Sequence, residues 1–246
     1  MDYEKIETLK KWIEESNNIT FFGGAGVSTE SGIPDFRSKD GLYNQHDVRF
    51  DMYQPEYLLS HSCLINQPKV YYEFHRQKMD TRNIEPNGAH YFLAKLEEAG
   101  KLNGVITQNI DGLHQKAGSK KVYEIHGSAL RNYCMSCGKT YDVNYIFDSE
   151  EPIPHCTCGG VVRPDITLYE ESLPEDAVNS AIRAIMSSDM LIIGGTSLTV
   201  YPAASYINYF KGKYLVVINR TELNLKTSSN TLFIYDSIGK VFEALE

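Results

Sequence analysis

Four of the five cysteines fall within one short segment, as Cys134-Met-Ser-Cys137 followed by Cys156-Thr-Cys158. Two close pairs of thiolates joined by a loop are a usual ligand set for a tetrahedral Zn²⁺. Because four protein ligands leave no open coordination position, the pattern predicts a structural zinc site. The alternatives are disulfides, which a reducing cytoplasm disfavours, unrelated buried thiols, and His155 in place of one cysteine.

A glycine-rich turn is the first of several motifs that follow predicted strands. Gly23-Gly-Ala-Gly-Val-Ser-Thr-Glu-Ser-Gly32 comes directly after an apolar run over residues 19–22, and we expect a helix after the turn. Glycines let the backbone approach a pyrophosphate, and the first N–H groups of a helix attract it. Thr29 stands where the dinucleotide-binding fingerprint has its third glycine, which disfavours an ordinary hydride-transferring dehydrogenase.

Three further motifs place polar side chains after predicted strands. Gly32-Ile-Pro-Asp-Phe-Arg37 follows the glycine turn, Thr107-Gln-Asn-Ile-Asp111 ends a strong apolar run, and Glu124-Ile-His126-Gly127 is a further polar strand end. Buried polar groups are costly without hydrogen bonds, and ligands bind at the carboxyl ends of strands in open α/β sheets. Each motif alone would suit a cap or a loop, and His126 alone would suit a structural role. The four motifs together predict one ligand-binding cleft.

The elements that must position these motifs alternate between helices and strands. Helical patterns cover residues 3–17, 90–99 and 238–245, and strand-like apolar runs cover 19–22, 104–107, 190–193, 215–218 and 231–234. This alternation predicts an α/β fold with a parallel sheet covered on both faces. Residues 38–87 and 131–160 lack such runs, and we expect them to form a second, smaller lobe together.

Composition excludes several kinds of protein. The chain has 246 residues, 42% of them hydrophobic, and a formal net charge of −8. The acidic excess disfavours nucleic-acid binding, which depends on basic residues that neutralise phosphates. No apolar stretch approaches the about 20 residues of a membrane span, and the amino terminus lacks a signal-peptide core. We therefore expect a cytoplasmic monomer without membrane or nucleic-acid partners, and a buried, unreactive Cys63.

In their order along the chain, the motifs resemble those of the sirtuin family of NAD-dependent protein deacylases. The matching segments are Gly24-Ala-Gly-Val-Ser28, Gly32-Ile-Pro-Asp-Phe-Arg37, Thr107-Gln-Asn-Ile-Asp111, His126-Gly127, the cysteine pairs, Arg163-Pro-Asp-Ile166, Gly195-Thr-Ser-Leu-Thr-Val-Tyr-Pro-Ala203 and Ile218-Asn219. The resemblance implies one catalytic domain over residues 1–246. Its large Rossmann-like part would comprise residues 1–37, 88–130 and 161–246. A small lobe would combine a helical insertion (38–87) with a zinc ribbon (131–160).

The resemblance also implies binding roles for residues of the cleft. The phosphates and nicotinamide ribose of NAD would contact Gly24, Ala25, Gly26, Thr29, Phe36 and Arg37. The nicotinamide and its ribose would be surrounded by Gln108, Ile110, Asp111 and His126. The adenosine half would be held by Thr196, Ser197, Asn219 and Ile238. Residues 166–171 and 198–201 would clamp the peptide of an acetyl-lysine protein substrate as a strand between them.

The mechanism implied by the family uses side chains from the same cleft. The acyl oxygen of the substrate lysine attacks the ribose carbon that bears nicotinamide, and nicotinamide leaves. His126 then acts as general base on the ribose hydroxyls, while Asn109 and Asp111 orient the nicotinamide, the ribose or its attacking water. One ribose hydroxyl then attacks the acyl carbon, and water completes the release of free lysine and O-acetyl-ADP-ribose, while Phe36 shields the sugar from solvent. NAD would be consumed as co-substrate, and one structural Zn²⁺ would take no part in the chemistry.

The chain departs from the family at three places. One residue, Thr157, separates the second cysteine pair, where the family has two, and Tyr169-Glu-Glu171 replaces the common Phe-Gly-Glu. Members that remove succinyl or malonyl groups carry a Tyr and an Arg in the acyl pocket. An ungapped alignment puts Phe74 and Gln77 there, which predicts an uncharged acyl group, acetyl first.

Two other functions stay open. A mono-ADP-ribosyltransferase would use the same NAD site with a different nucleophile, but His126 favours deacylation because the ribose hydroxyl must be activated. A non-enzymatic zinc-ribbon module would bind nucleic acid or a protein partner instead. The net charge of −8 counts against nucleic acid.

Overall fold

The protein was analysed as a computed structural model that describes residues 2–223, 225 and 228–245. Within these residues, parallel strands form a six-stranded sheet in the order β3-β2-β1-β7-β8-β9. Its strands are β1 (Ile19–Gly23), β2 (Leu102–Thr107), β3 (Val122–Glu124), β7 (Met190–Gly194), β8 (Tyr214–Ile218) and β9 (Thr231–Ile234). Phe21 of β1 pairs with Val105 on one side and Ile192 on the other. The predicted parallel sheet is therefore confirmed.

Helices cover both faces of this sheet, as predicted. One face packs against α1 (Tyr3–Glu15), α5 (Gly88–Glu98) and α9 (Ile238–Glu243) through residues such as Leu9, Leu93 and Phe242. The other packs against α8 (Glu175–Ser187) and a 3₁₀ segment, Ala203–Tyr209. Every position of β1 and β7 is buried because both faces of the sheet are covered. This burial is why the two strands carry continuous apolar runs.

The helix predicted after the glycine turn does not form. Two short 3₁₀ turns, Ala25–Val27 and Thr29–Ser31, stand in its place, and Gly32 follows with a φ of +92°. Ile33 precedes a proline, which disfavours helical backbone at that residue. A left-handed glycine followed by Ile-Pro therefore stops the turn before it can propagate.

The remaining elements form a smaller region beside the sheet. In the described residues it contains a three-stranded antiparallel sheet, β5-β4-β6, built from β4 (Gly127–Cys134), β5 (Thr140–Asp142) and β6 (Val162–Ile166). Its short helices are α2 (Pro55–Leu58), α3 (His61–Asn66), α4 (Pro68–Lys78) and α7 (Asn144–Phe147). Helix α6 (Leu113–Lys116) follows β2 in the main part of the fold.

One apolar cluster joins the helical insertion to the cysteine-bearing segment. It combines Cys63, Tyr71 and Tyr72 from α3 and α4 with Ile146 and Val162. Arg76 of α4 also donates to the carbonyl oxygen of Ile146 at 2.9 Å. The two segments therefore share a core, while the predicted domain boundaries stay a prediction. No helix in the described part of the chain is long and apolar enough to cross a bilayer.

Candidate active site

His126 lies between β3 and β4, where the chain turns out of the large sheet. Its Nδ1 is 2.9 Å from the carbonyl oxygen of Gln108. Because a carbonyl oxygen only accepts, the ring proton lies on Nδ1, and Nε2 keeps its lone pair. Gly127 holds a φ of +77° against the backbone of Asp165, where a Cβ would collide with the carbonyl oxygen. The imidazole is therefore fixed in orientation and tautomer.

The pKa of His126 is shifted by two opposing effects. Burial lowers the pKa of the imidazole, and the hydrogen bond to the Gln108 carbonyl raises it by less. The ring therefore stays neutral at neutral pH, with Nε2 able to accept a proton.

Asp111, Asn109 and Ser28 form one hydrogen-bonded network at the ends of β1 and β2. The Ser28 hydroxyl donates to Asp111 Oδ2 at 2.7 Å and accepts from Asn109 Nδ2 at 3.0 Å. The backbone N–H of Leu113 donates to Asp111 Oδ1 at 2.9 Å. Burial raises the pKa of the Asp111 carboxyl, and the hydrogen bond from Ser28 opposes that shift.

Ser28 is the residue that sequence reasoning missed. Its motif was noted, but no role was given to its hydroxyl, which is buried at the centre of this network. The signal was its place in the turn after the first strand. Ser28 follows β1 and its partner, Asp111, follows β2, and β1 and β2 are neighbours in the sheet.

Gln108 provides an unpaired buried donor. Its Oε1 accepts from Thr196 Oγ1 at 2.8 Å, whereas its buried Nε2 has no partner among the described residues. A buried N–H without an acceptor costs about 1–3 kcal/mol, so this group suits a ligand oxygen. The predicted contact between Gln108 and the nicotinamide half of NAD fits this observation.

Glycines in the turn after β1 allow it to pack closely against the turn after β7. A Cβ on Gly26 would lie 2.7 Å from Cα of Gly195, in the turn after β7, and one on Gly24 would lie 2.7 Å from Oε1 of Gln108. Glycine is therefore required here because other parts of the same chain pack against these positions. This is a different reason from the predicted approach to a pyrophosphate. Ala25 and Thr29 are half-buried beside them, and the Thr29 hydroxyl donates to the Gly26 carbonyl at 3.0 Å.

Phe36, Ile110 and Arg37 lie where the main sheet meets the helical insertion. Phe36 and Ile110 pack against one apolar cluster, which also contains Phe74. Arg37 is exposed and donates from Nη2 to the Tyr169 hydroxyl at 3.2 Å. Gln77, the other residue aligned with the acyl pocket, is exposed and donates to Glu73.

The residues predicted for the adenosine half follow β7, β8 and β9. Ser197 is exposed and its hydroxyl pairs with that of Thr199 at 2.7 Å. The side chain of Asn219 donates to the carbonyl oxygen of Thr221 at 3.0 Å. Ile238 is only 2% exposed and belongs to the apolar core, so a ligand there would meet its backbone rather than its side chain.

The four motif cysteines converge on one point. Their Sγ atoms all lie within 4.8 Å of one another, with Cys134–Cys158 at 3.5 Å and Cys137–Cys156 at 3.6 Å. A tetrahedron with Zn–S bonds of about 2.3 Å has edges of about 3.8 Å, so these positions fit Zn²⁺. The single residue between Cys156 and Cys158 does not prevent this convergence.

The alternatives to this zinc site are less compatible with the geometry. His155 lies outside the cysteine cluster, with its Nδ1 near Glu151 at 3.4 Å. Among the described residues, which include all five cysteines, each cysteine is a free thiol. Cys63 is buried elsewhere, as expected, and burial raises the pKa of its thiol to about 11, which disfavours the reactive thiolate.

Comparison with known proteins gives one consistent result. A model of the Sir2 family matches residues 24–202. The NAD-dependent protein deacetylase of Clostridium acetobutylicum is 54% identical over 98% of both chains, and that of Clostridium perfringens is 55% identical over 97% of both. A histidine-to-alanine Sir2 variant with deacetylated p53 peptide and 3′-O-acetyl ADP ribose has a TM-score of 0.88 and 33% identity, over 98% of this chain and 96% of that one. A Sir2–p53 peptide–NAD⁺ structure has a TM-score of 0.83 and 35% identity, over 97% and 95% of the two chains.

Proposed function

Since this chain belongs to the Sir2 family, we propose that it transfers the acetyl group of a protein lysine to ADP-ribose, releasing nicotinamide and O-acetyl-ADP-ribose. It is an NAD-dependent protein deacetylase, like its curated relatives over nearly their full length. The observation that supports the residue assignment most directly is the His126–Gln108 hydrogen bond. It leaves Nε2 of a neutral imidazole as a proton acceptor.

His126 acts as the general base for a ribose hydroxyl in this proposal. A base must be unprotonated at the working pH, and burial lowers the pKa of His126. When the ring accepts a proton on Nε2, the Nδ1–H···O=C bond to Gln108 persists and stabilises the imidazolium. Bound NAD supplies the electrophilic ribose carbon and the nicotinamide leaving group.

Asn109, Asp111 and Ser28 orient the other end of the reacting sugar. Ser28 fixes both of the other side chains through hydrogen bonds at 3.0 and 2.7 Å. Gln108 would offer its unpaired Nε2–H to the same ligand. Thr29, Phe36 and Arg37 on one side, and Thr196, Ser197, Asn219 and Ile238 on the other, would hold the rest of NAD.

An acetylated protein segment would lie between residues 166–171 and 198–201. The first segment begins beside the base, because the N–H of Thr167 donates to the His126 carbonyl at 2.9 Å. The second ends at Tyr201, whose side chain is 74% exposed. Buried Phe74 supports an uncharged acyl group, since a carboxylate beside this apolar cluster would be costly to desolvate.

The zinc site stabilises the small lobe and takes no part in the reaction. Four thiolates fill the coordination shell, so a bound Zn²⁺ has no position for substrate. We also propose that the enzyme works as a cytoplasmic monomer that binds neither nucleic acid nor membrane. The net charge of −8 supports a role away from nucleic acid, and cysteine pairs arranged for a metal rather than for disulfides are typical of a reducing compartment.

The test incubates the protein with NAD and an acetyl-lysine peptide, and follows all products by mass spectrometry. We expect nicotinamide, deacetylated peptide and O-acetyl-ADP-ribose, none of them when NAD is omitted, and neither nicotinamide nor O-acetyl-ADP-ribose when the peptide carries no acetyl group. ADP-ribose attached to peptide or enzyme, with the acetyl group retained, would support the ADP-ribosyltransferase instead. Absence of nicotinamide release together with a gel shift of nucleic acid would support the binding module.

A further inference from the structure

Three segments of the chain meet at the hydroxyl groups of Tyr43 and Tyr169. The two hydroxyl oxygens are 3.1 Å apart, and Arg37 Nη2 donates to the Tyr169 hydroxyl at 3.2 Å. Arg37 belongs to the loop proposed to hold NAD, and Tyr169 belongs to the segment proposed to clamp the peptide. Tyr43 lies in the helical insertion, in the 3₁₀ turn Leu42–Asn44. The contact therefore links both substrate sites.

Tyr169 is fixed to the helical insertion through its backbone. Its N–H donates to the carbonyl oxygen of Leu59 and its carbonyl oxygen accepts from the N–H of His61, both at 3.0 Å. The next residue, Glu170, accepts from the N–H and the hydroxyl of Ser62 at 2.9 and 2.7 Å. The carboxyl end of residues 166–171, which are proposed to clamp the peptide, is thus held against the helical insertion. The Tyr169 side chain extends from it toward Arg37.

The NAD-side loop folds back on Tyr43. The N–H groups of Tyr43 and Leu42 donate to the carbonyl oxygens of Phe36 and Asp35, at 2.9 and 2.7 Å. The Arg37 guanidinium lies over the Tyr43 ring at 5.4 Å, and the Phe36 ring lies 5.3 Å from it. Phe36 and Arg37 are therefore placed by Tyr43, and Tyr43 is in turn held by the Tyr169 hydroxyl.

We propose that Tyr169 is a positioning residue. Its hydroxyl couples binding of the substrate peptide along residues 166–171 to the placement of Arg37 and Phe36 at NAD. The inference rests on the proposed function of the cleft. Phe-Gly-Glu, common in the family, would keep the ring at this position but lack the hydroxyl that Arg37 and Tyr43 contact. Burial, followed by the hydrogen bond with Tyr169, raises the pKa of Tyr43, so its hydroxyl keeps its proton. Arg37 has five N–H donors, so the bond to Tyr169 leaves donors for NAD.

The test measures binding of ADP-ribose, which cannot turn over, to the full chain with and without an acetyl-lysine peptide. Calorimetry on wild type gives the factor by which peptide tightens ADP-ribose binding. We expect Tyr169→Phe to bring that factor close to one, and to raise the KM for NAD about threefold to tenfold, the range that corresponds to loss of one typical intramolecular hydrogen bond. The kcat should change by a smaller factor.

Two further variants test whether the hydroxyl pair acts as a unit. Tyr43→Phe should lower the factor as Tyr169→Phe does, and the double variant should lose little more. Tyr53→Phe is the matched control, because its hydroxyl donates to Gln67 at 2.8 Å within the helical insertion, outside this contact. We expect that control to keep the wild-type factor and KM.

The proposal is overturned if wild type shows no coupling, or if Tyr169→Phe keeps the wild-type coupling factor and the wild-type KM for NAD. Equal loss in Tyr53→Phe would also overturn it, because the effect would then be general. Failure of the proposed function gives a different result: wild type would release no nicotinamide in the presence of an acetylated peptide, whatever the binding experiment shows.

Discussion

The pKa of the His126 imidazole is set by burial and by a hydrogen bond to one carbonyl oxygen. Burial lowers its pKa, whereas the bond to Gln108 favours the protonated ring. The net effect keeps the ring neutral at neutral pH while retaining a partner that would stabilise the charge His126 gains as the proposed general base. This balance can be measured because only the unprotonated ring is a base.

We expect the acid limb of the pH profile of kcat/KM to lie below pH 6.5, the ordinary pKa of histidine from which that of His126 is lowered. Activity should fall as the pH drops through the pKa in the folded protein, because the proton then occupies Nε2. Deacetylation rates at low peptide concentration, with circular dichroism to confirm folding at each pH, provide the measurement. An acid limb centred above pH 6.5 would be incompatible with the assigned base.

Sequence reasoning predicted several polar side chains that the structure brings together at the strand ends, and missed contacts that depend on which strands are neighbours. His126, Asn109 and Asp111 were predicted from polar motifs after strands and from the family resemblance. The role of Ser28 was not predicted, because its contact with Asp111 requires β1 and β2 to be adjacent. Strand order is set by the whole sheet and is not visible in a local motif.

Among the elements, the turns after β1 and β7 are held together by glycines. Gly26→Ala would place a methyl group 2.7 Å from Cα of Gly195. We expect this variant to lose about 1–3 kcal/mol of stability through overpacking and to raise the KM for NAD. Gly88→Ala is the matched control, since a Cβ there has no atom within 4 Å among the described residues. Urea unfolding and steady-state kinetics would contradict the account if both variants behaved alike.

The zinc site is the second element with a direct test. Purified wild type should contain one zinc per chain by mass spectrometry, and Cys156→Ser should lower both the zinc content and the melting temperature, because metal binding stabilises the fold that forms the site. Cys63→Ala should retain zinc, since Cys63 lies outside the cluster. A wild-type protein without bound zinc, or a Cys156→Ser variant with full zinc content, would refute this assignment.

At this scale the predictions for strands were better than those for turns. The runs over 190–193 and 215–218 fall within β7 and β8, because continuous apolar residues are needed where both faces are covered. The helix after the glycine turn was wrong, since Gly32 and Pro34 oppose it. Helix α8 was not predicted, although its buried residues Ala181, Ala184 and Ile185 follow helical spacing.

At the scale of the whole molecule, three buried histidines have ring nitrogens without a hydrogen-bond partner among the described residues. His75 and His114 have no partner for either nitrogen among the described residues, and His90 has none for Nε2. Burial lowers the pKa of His75 and of His90 to about 4, and lowers that of His114 as well. As the pH falls below 6.5, the unfolded chain gains protons that the folded chain does not accept.

We therefore expect the free energy of unfolding to fall by about 1.4 kcal/mol per pH unit for each such histidine between pH 6.5 and about 4. His75→Phe should lower this slope, because the ring stacks between Tyr71 and Phe147 and makes no hydrogen bond to a described residue. His46→Gln, at a highly exposed position, should leave the slope unchanged. Denaturant unfolding at several pH values would contradict this if His75→Phe kept the wild-type slope.

For the whole molecule, the parallel sheet and a small lobe with a zinc site were predictable from the sequence. The apolar core that the helical insertion shares with the cysteine-bearing segment was only partly predictable. The cysteine pattern predicted a metal site, yet the antiparallel sheet β5-β4-β6 was not predicted. Strand β4 mixes buried Ala129 with exposed Arg131, so it has neither a continuous apolar run nor a regular alternation. The contact of Tyr71 and Tyr72 with this region is long-range and leaves no periodic signal in the sequence.

The most direct test of the central claim compares wild type with His126→Ala on one acetyl-lysine peptide, measuring deacetylated peptide, nicotinamide release and the exchange of labelled nicotinamide into NAD. Wild type should release one nicotinamide for each acetyl group removed. His126→Ala should lose about 10²–10⁴-fold in deacetylation but retain exchange, because nicotinamide departs before the base acts. Equal deacetylation by the two proteins, or acetyl removal without nicotinamide release, would contradict the account.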